Sequence, residues 1–401
     1  MNIIFLTMSR IDDISRRGIY TDLMRKFRDE GHAVYIVTPH ERSMARPTEL
    51  LLKEGVHILG VKTLNLQKTS IIEKGIGQVL VESQYKRAIK HYLSGVAFDM
   101  ILYSTPPITF PKIISYLKKN NPKARTYLLL KDIFPQNAVD LGMMQKKGVK
   151  GLLYNYFRRK EKHLYQLSDH IGCMSPANVD YVLKHNPEIA SDKVEVAPNS
   201  NEMIEHVEVD SRSIRIKYGL PLDCPIFIYG GNLGKPQGIP FLIKCLDANA
   251  ERKDCHFLVI GTGTELPKLK NWYEERKPSA VTVMDGLPRR EYEELAQSCD
   301  VGMIFLDHRF TIPNYPSRLL PYLENKMPVL AVTDPNSDTG KIAEENGYGF
   351  WCESNSVDAF SSTVDKMLRS DLTVMGERGY AFLCANYQVQ NTYDAIMKHF
   401  V

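Results

Sequence analysis

Residues 227–238, FIYGGNLGKPQG, run from an apolar stretch into four glycines, one lysine and one glutamine. Glycines at a strand end let backbone N–H groups come close to a diphosphate, and a lysine beside them neutralises its charge. Gly230, Gly231, Gly234 and Lys235 therefore read as a phosphate-binding turn, with an ordinary glycine-rich loop as the alternative. A second cluster lies in residues 311–328, TIPNYPSRLLPYLENKMP, where Ser317 and Arg318 open a short helix after a proline-rich loop. Amides at a helix start with an arginine alongside suit further phosphate contacts, against the plainer reading of a solvated arginine. Asp132 directly follows the strand-like run 128–130, a place from which a carboxylate can take a proton from an attacking hydroxyl; an N-cap or an ion pair is the alternative. In residues 9–20, SRIDDISRRGIY, Gly18 permits close approach of a donor phosphate.

Two other nucleotide signatures are absent. Neither Gly-Lys pair is followed by Ser or Thr, and the G-x-G at Gly261 and Gly263 has Leu266 where a third glycine is needed. The ATPase and dehydrogenase classes both recede.

The elements that must hold these residues alternate. Apolar runs at 2–8, 33–38, 56–61, 100–103, 126–130, 170–174 and 193–197 read as strands separated by helical stretches, such as 20–30 with Tyr20, Leu23, Met24 and Phe27 on one face. After an acidic linker carrying Glu202, Glu205, Glu208 and Asp210, the alternation restarts at 225–229 and repeats at 256–260, 281–284, 301–305 and 328–332. The pattern predicts an α/β chain of two Rossmann-like doubly wound parallel-sheet domains facing a cleft. The expected boundaries are 1–200, with a C-terminal helix in 387–401 crossing back, and 201–386.

Composition narrows the partners. The net charge of +4 is too mild to argue for nucleic acid, but residues 1–200 carry +11 and residues 201–401 carry −7. The basic half is expected to meet an anionic surface or substrate. Within it, residues 146–165 combine seven Lys and Arg with Leu152, Leu153, Tyr154, Tyr156 and Phe157. Such a segment can lie on an anionic membrane or attract a lipid pyrophosphate, or it can be a helix with a solvated basic face. Seven scattered cysteines without a C-x-x-C pair suggest reduced thiols in the cytoplasm. No run is long enough to span a bilayer, and Arg10 breaks the first apolar run too early for a secretion signal.

With YSTPP, DIFPQNAVDLG, GGNLGKPQG, HFLVIGTG, VMDGLPRREYEEL, SCDVGMIF and PSRLLPYLENKMPVL in this order along the chain, it resembles GT-B glycosyltransferases of family 4 over essentially its whole length. It is most similar to the capsule and O-antigen branch, and within it to N-acetyl-L-fucosaminyl transferases. The resemblance implies an N-terminal acceptor domain, a C-terminal nucleotide-sugar domain, and transfer that keeps anomeric configuration and needs no metal or other cofactor. It implies a UDP-sugar donor and an undecaprenyl-pyrophosphate-linked sugar as acceptor, handled at the inner face of the cell membrane. Carried over, Asn232, Gly234, Lys235 and Gln237 contact donor phosphate and sugar, Ser317 and Arg318 make the second phosphate contact, and Leu287, Pro288 and Gly261 line the base.

One family feature is missing. The E-x7-E carboxylates fall on Pro313 and Pro321, leaving Glu324 to reach the ribose from the next helical turn. No counterpart of the family's acceptor-domain histidine is evident, so Asp132 takes the base role. A UDP-sugar 2-epimerase shares the architecture and is the competing enzyme reading. The two prolines also leave open a non-catalytic sugar-nucleotide-binding partner in a capsule assembly complex.

Overall fold

The computed structural model describes residues 1–66, 71–204 and 209–400, without the side chains of 71–76, 78–79 and 149–150. Glu205 and Glu208 of the expected linker thus lie outside the described residues, as does the Lys150 side chain. The chain forms two compact units, one of Met1–Glu202 with Gln388–Val401 and one of Met203–Tyr387.

In the first unit, β1 (Asn2–Leu6), β2 (Ala33–Glu41), β3 (Glu49–Lys53), β4 (Val56–Thr63), β5 (Met100–Ser104), β6 (Arg125–Leu130), β7 (His170–Cys173) and β8 (Val194–Val196) make one sheet in the order β3-β4-β2-β1-β5-β6-β7-β8. β1 is apolar at every position after its first because both faces are covered: Ile4 and Leu6 join one core, Ile3 and Phe5 the other. The helices are α1 (Ile19–Asp29), α2 (Ile71–Tyr92), α3 (Pro111–Asn120), α4 (Gln136–Asp140), α5 (Gly148–Leu167) and α6 (Pro176–His185). α1 buries Leu23, Met24 and Phe27 and ends at Gly31, whose φ of 80° closes a Schellman turn through His32 N–H to the Phe27 carbonyl at 3.1 Å.

The sheet is not wholly parallel. β3 pairs antiparallel with β4 through a tight turn in which Glu54 and Gly55 have φ of 48° and 74°, the geometry of a two-residue hairpin.

In the second unit, α7 (Ser211–Lys217) precedes β9 (Ile226–Asn232), α8 (Ile239–Ala248), β10 (His256–Thr262), α9 (Leu266–Arg276), β11 (Val281–Asp285), α10 (Arg289–Gln297), β12 (Val301–Phe305), α11 (Leu319–Glu324), β13 (Val329–Thr333), α12 (Thr339–Glu345), β14 (Gly349–Glu353), α13 (Val357–Leu368) and α14 (Leu372–Asn386). Its all-parallel order, β11-β10-β9-β12-β13-β14, is that of the Rossmann fold. The chain reverses direction across the sheet between β9 and β12, where such sheets hold ligands.

α15 (Val389–Met397) belongs to the first unit. Tyr393 packs its ring 5.3 Å from Phe27 of α1, and Thr392 donates to the Pro198 carbonyl at 3.0 Å.

Candidate active site

At the switch point of the second unit, β9 runs into a 3-10 turn over Lys235–Gln237, and Gly238, with a φ of 60°, leads into α8. Asn232 donates to Gln237 Oε1 at 3.0 Å, and the same oxygen accepts the Gly234 N–H at 3.1 Å. The Tyr229 hydroxyl, kept protonated by burial that pushes it up to about 12, donates to the Asn232 carbonyl at 2.8 Å. The turn is braced before any ligand arrives. Lys235 is exposed and forms no ion pair among the described residues.

One expectation changes here. The Leu233 N–H is spent on the Thr262 carbonyl at 2.8 Å, the Gln237 N–H on Gly234 at 3.2 Å and the Gly238 N–H on Lys235 at 3.1 Å. With the Gly234 N–H held by Gln237 as well, the turn offers an anion its cation more than its amides. The side chain of Gln237 closes the loop on itself.

Arg318 supplies the second cation. Its guanidinium lies 4.3 Å from the Tyr229 ring centre and donates to the Gly230 carbonyl at 3.0 Å. Nη2 is 3.8 Å from where a side chain on Gly231 would begin, and Gly231 itself has a φ of 116°. Arg318 and the glycine turn, separated by some 80 residues in sequence, are thus one site. Ser317, exposed, immediately precedes it at the start of α11. Below them the Tyr322 hydroxyl accepts the Gly230 N–H at 3.1 Å, and the Tyr292 ring fills the space a Gly230 side chain would need.

The neighbouring strand ends align with this turn. Gly231 pairs with Gly261 and Gly261 with Asp285, so β9, β10 and β11 end in register. A Cβ on Gly261 would collide with the Gly231 carbonyl oxygen, which is why this position is a glycine. Leu287 is half-buried just past β11, and Pro288 precedes α10 and accepts the Tyr292 N–H at 3.0 Å. Glu324 ends α11, the helix Arg318 opens, and its charge is felt by Tyr380 of α14, whose phenol is raised first by burial and by Cys384.

Two acids missed by sequence reading organise the loop between β12 and α11. Asp307, at the end of β12, donates its N–H to the Pro236 carbonyl at 2.9 Å and holds Arg309 through both oxygens at 2.9 and 2.8 Å. Burial opposes its ionisation, but Arg309 prevails and keeps the carboxyl below the usual aspartate range. Asp334, after β13, is fully buried and accepts the N–H groups of Asn336 and Ser337 and the Ser337 hydroxyl, each at 2.9 Å. Ser337 Oγ accepts the Asn314 N–H at 3.1 Å, and Asn336 grips the Phe310 carbonyl at 2.7 Å. Burial raises Asp334 to about 6 against those hydrogen bonds.

Asp334 therefore anchors the loop that ends in Ser317 and Arg318. Asp334→Ala is expected to raise KM for the donor about tenfold, equivalent to ~1.4 kcal/mol, with kcat changed less; Asp334→Asn should fall between. Steady-state kinetics with varied donor checks this, and an unchanged KM contradicts it.

In the first unit, the Gly18 N–H donates to the buried Asp22 at 2.8 Å; Asp22 pairs with Arg25 at 2.5 Å, and Arg25 with Glu202 at 2.8 Å. Gly18 is extended, with φ 171°. Asp132 follows β6 and is steadied by Asn137 Nδ2 at 2.8 Å, and its backbone N–H donates to Thr105 of the YSTPP turn at 3.2 Å. Burial lifts Asp132 to about 6, opposed by Asn137 and the Ile133 N–H. Its neighbour Lys131 points to the Ala197 carbonyl at 3.1 Å and is lowered to about 7 by burial. Among the described residues no group of three His, Cys, Asp or Glu side chains is placed to hold a metal ion.

Residues 210–381, nearly all of the second unit, match the family described as "Glycosyl transferases group 1". With this match and the site just described, the chain is a glycosyltransferase, and its two Rossmann-like domains are those of the GT-B fold. It is 23% identical over 329 residues to "Probable glycosyltransferase WbjE" of Pseudomonas aeruginosa, covering 80% of this chain and 78% of WbjE. Its fold is similar to that of WaaG, a glycosyltransferase involved in lipopolysaccharide biosynthesis (TM-score 0.65, 13% identity, 98% of each chain covered). It is also similar to Anabaena Alr3699/HepE in complex with UDP (TM-score 0.69, 12% identity, 100% of this chain and 99% of HepE).

Proposed function

We propose that this glycosyltransferase moves N-acetyl-L-fucosamine from UDP to an undecaprenyl-pyrophosphate-linked sugar in capsular polysaccharide or O-antigen synthesis. The observation that carries the reading is Arg318, stacked on Tyr229 and bonded to Gly230 beside Gly231, in the same site as the exposed Lys235. As the glycosidic bond to UDP breaks, negative charge grows on the diphosphate, and cations already in place stabilise it. These side chains take the role without a metal. Asn232 and Gln237 meet the sugar and phosphate, Ser317 adds a hydroxyl, and Gly261, Leu287 and Pro288 border the base.

Asp132 is the acceptor-side base. A carboxyl that ionises near 6 is a proton acceptor at neutral pH yet still more basic than an ordinary aspartate. The HepE complex supports UDP as the nucleotide, and WaaG's part in lipopolysaccharide synthesis supports a glycolipid product. Glu324, at the end of the helix that Arg318 opens, is the proposed ribose contact.

The acceptor is proposed to arrive from a membrane. No helix among the described residues is long and apolar enough to cross one. α5, however, leaves Leu152 70%, Leu153 52% and Tyr156 42% exposed among the basic residues of 146–165, which favours peripheral contact with an anionic surface.

The test is a screen of UDP-sugars against lipid-linked monosaccharides read by mass spectrometry. The expected product adds one N-acetylated 6-deoxyhexose to the acceptor. Conversion of the UDP-sugar without any acceptor is the epimerase result and contradicts the proposal.

A further inference from the structure

A cavity of about 500 Å³ opens in the first unit, between the second half of α2 and the end of β4 at the sheet edge. Its floor and walls include Val61, Leu64, Ala88 and the Tyr92 ring, and far more of its lining is apolar than polar. Basic groups stand around it: Arg42 after β2, and Arg87 and His91 one helical turn apart on α2. Arg87 and His91 are exposed, and neither forms an ion pair among the described residues; the described lining contains no acid.

Two polar atoms of these lining residues, Thr63 Oγ1 and Gln84 Oε1, are buried without a hydrogen-bond partner among the described residues. Thr63 is 3% exposed and follows the last core position of β4, Val61, on the same face, the one covered by α2. An orphaned buried hydroxyl costs about 1–3 kcal/mol, which the Thr63 side chain recovers by turning toward a polar ligand group in the groove. The volume is that of a small-molecule site.

We propose that this groove binds a single-chain lipid phosphate, its hydrocarbon chain along Val61, Leu64 and Ala88 and its phosphate toward Arg87 and Arg42. An apolar trough with cations at its mouth matches an anionic amphiphile in both halves: a bare phosphate leaves the trough unfilled, and a neutral hydrocarbon leaves the exposed Arg87 unanswered among the described residues. The Thr63 hydroxyl donates to an oxygen near the junction. The inference deepens the proposed function by giving the acceptor's lipid an address, and rests on that reading only for the acceptor's identity.

The test uses the full chain and farnesyl diphosphate as probe, with farnesol and inorganic pyrophosphate as the two half-ligands, read by calorimetry below the probe's micelle concentration. A photoreactive farnesyl diphosphate then maps the contact by mass spectrometry. Saturable binding of the whole probe is expected, at least tenfold tighter than either half, with cross-links in 61–64 and 84–92. Arg87→Glu, at an exposed position, should weaken it at least tenfold, and Thr63→Val should weaken it less. Binding by Arg87→Glu equal to wild type, pyrophosphate binding as tightly as the whole probe, or cross-links confined to other segments would each overturn the proposal. Because the readout is binding, a failed acceptor screen with intact binding counts against the acceptor's identity and leaves the groove standing.

Discussion

Arg318→Ala is expected to lower kcat by about 10²–10³, the loss of roughly 3–4 kcal/mol of transition-state stabilisation typical of removing one donor aimed at developing charge. The guanidinium is held by the Tyr229 face and the Gly230 carbonyl, so it is in place before the diphosphate arrives and pays no reorganisation when charge appears. Arg318→Lys should recover little, since an ammonium reproduces neither the stacking nor the forked donor geometry. Lys235→Ala is expected to act in the same direction. The double variant should fall short of the product of the two, because both cations serve one diphosphate. Unchanged far-ultraviolet dichroism and thermal midpoint separate a catalytic loss from unfolding. Near-wild-type kcat in both single variants contradicts the phosphate assignment.

Asp132→Asn is expected to reduce transfer by about 10²–10⁴, the range for loss of a general base, with donor affinity retained. In the wild type, kcat should fall about tenfold per pH unit below the ionisation near 6, where Asp132 takes up a proton and can accept no other. The residual activity of the asparagine variant should lack that limb. The same burial makes the ionised carboxylate a cost to the fold. Its folded pKa lies above the unfolded value of 3.8, so its contribution to stability is lost as pH rises from about 4 through about 6. Asn keeps an oxygen for Asn137 and carries no charge, so the variant should be at least as stable as wild type near neutral pH. A variant that is active with an unshifted pH profile removes Asp132 from the chemistry.

What the sequence made legible follows from local physics. Apolar runs ending in glycine marked β9 and β10, because a strand buried on both faces is continuously apolar and its ligand-facing end needs close backbone approach. Lys235 and Arg318 stood out because each follows such an end or opens a helix. What escaped depends on partners distant in the chain. Asp334 reads as one more loop acid until the fold brings Ser337 against Asn314. Asp307 acquires meaning only when its backbone reaches Pro236. The β3 hairpin was hidden because its run ELLLK lacks polar alternation, and its Glu54-Gly55 turn is a weaker signal than Asn-Gly. The spent amides of the GGNLGK turn were equally hidden, since nothing local says that Gln237 folds back onto Gly234.

The most direct measurement of the central claim is a crystal structure with UDP bound in the second unit. Arg318 and Lys235 should both lie within hydrogen-bonding distance of the pyrophosphate oxygens, the guanidinium still stacked on Tyr229. A pyrophosphate bound elsewhere, or contacted by neither side chain, would contradict the account.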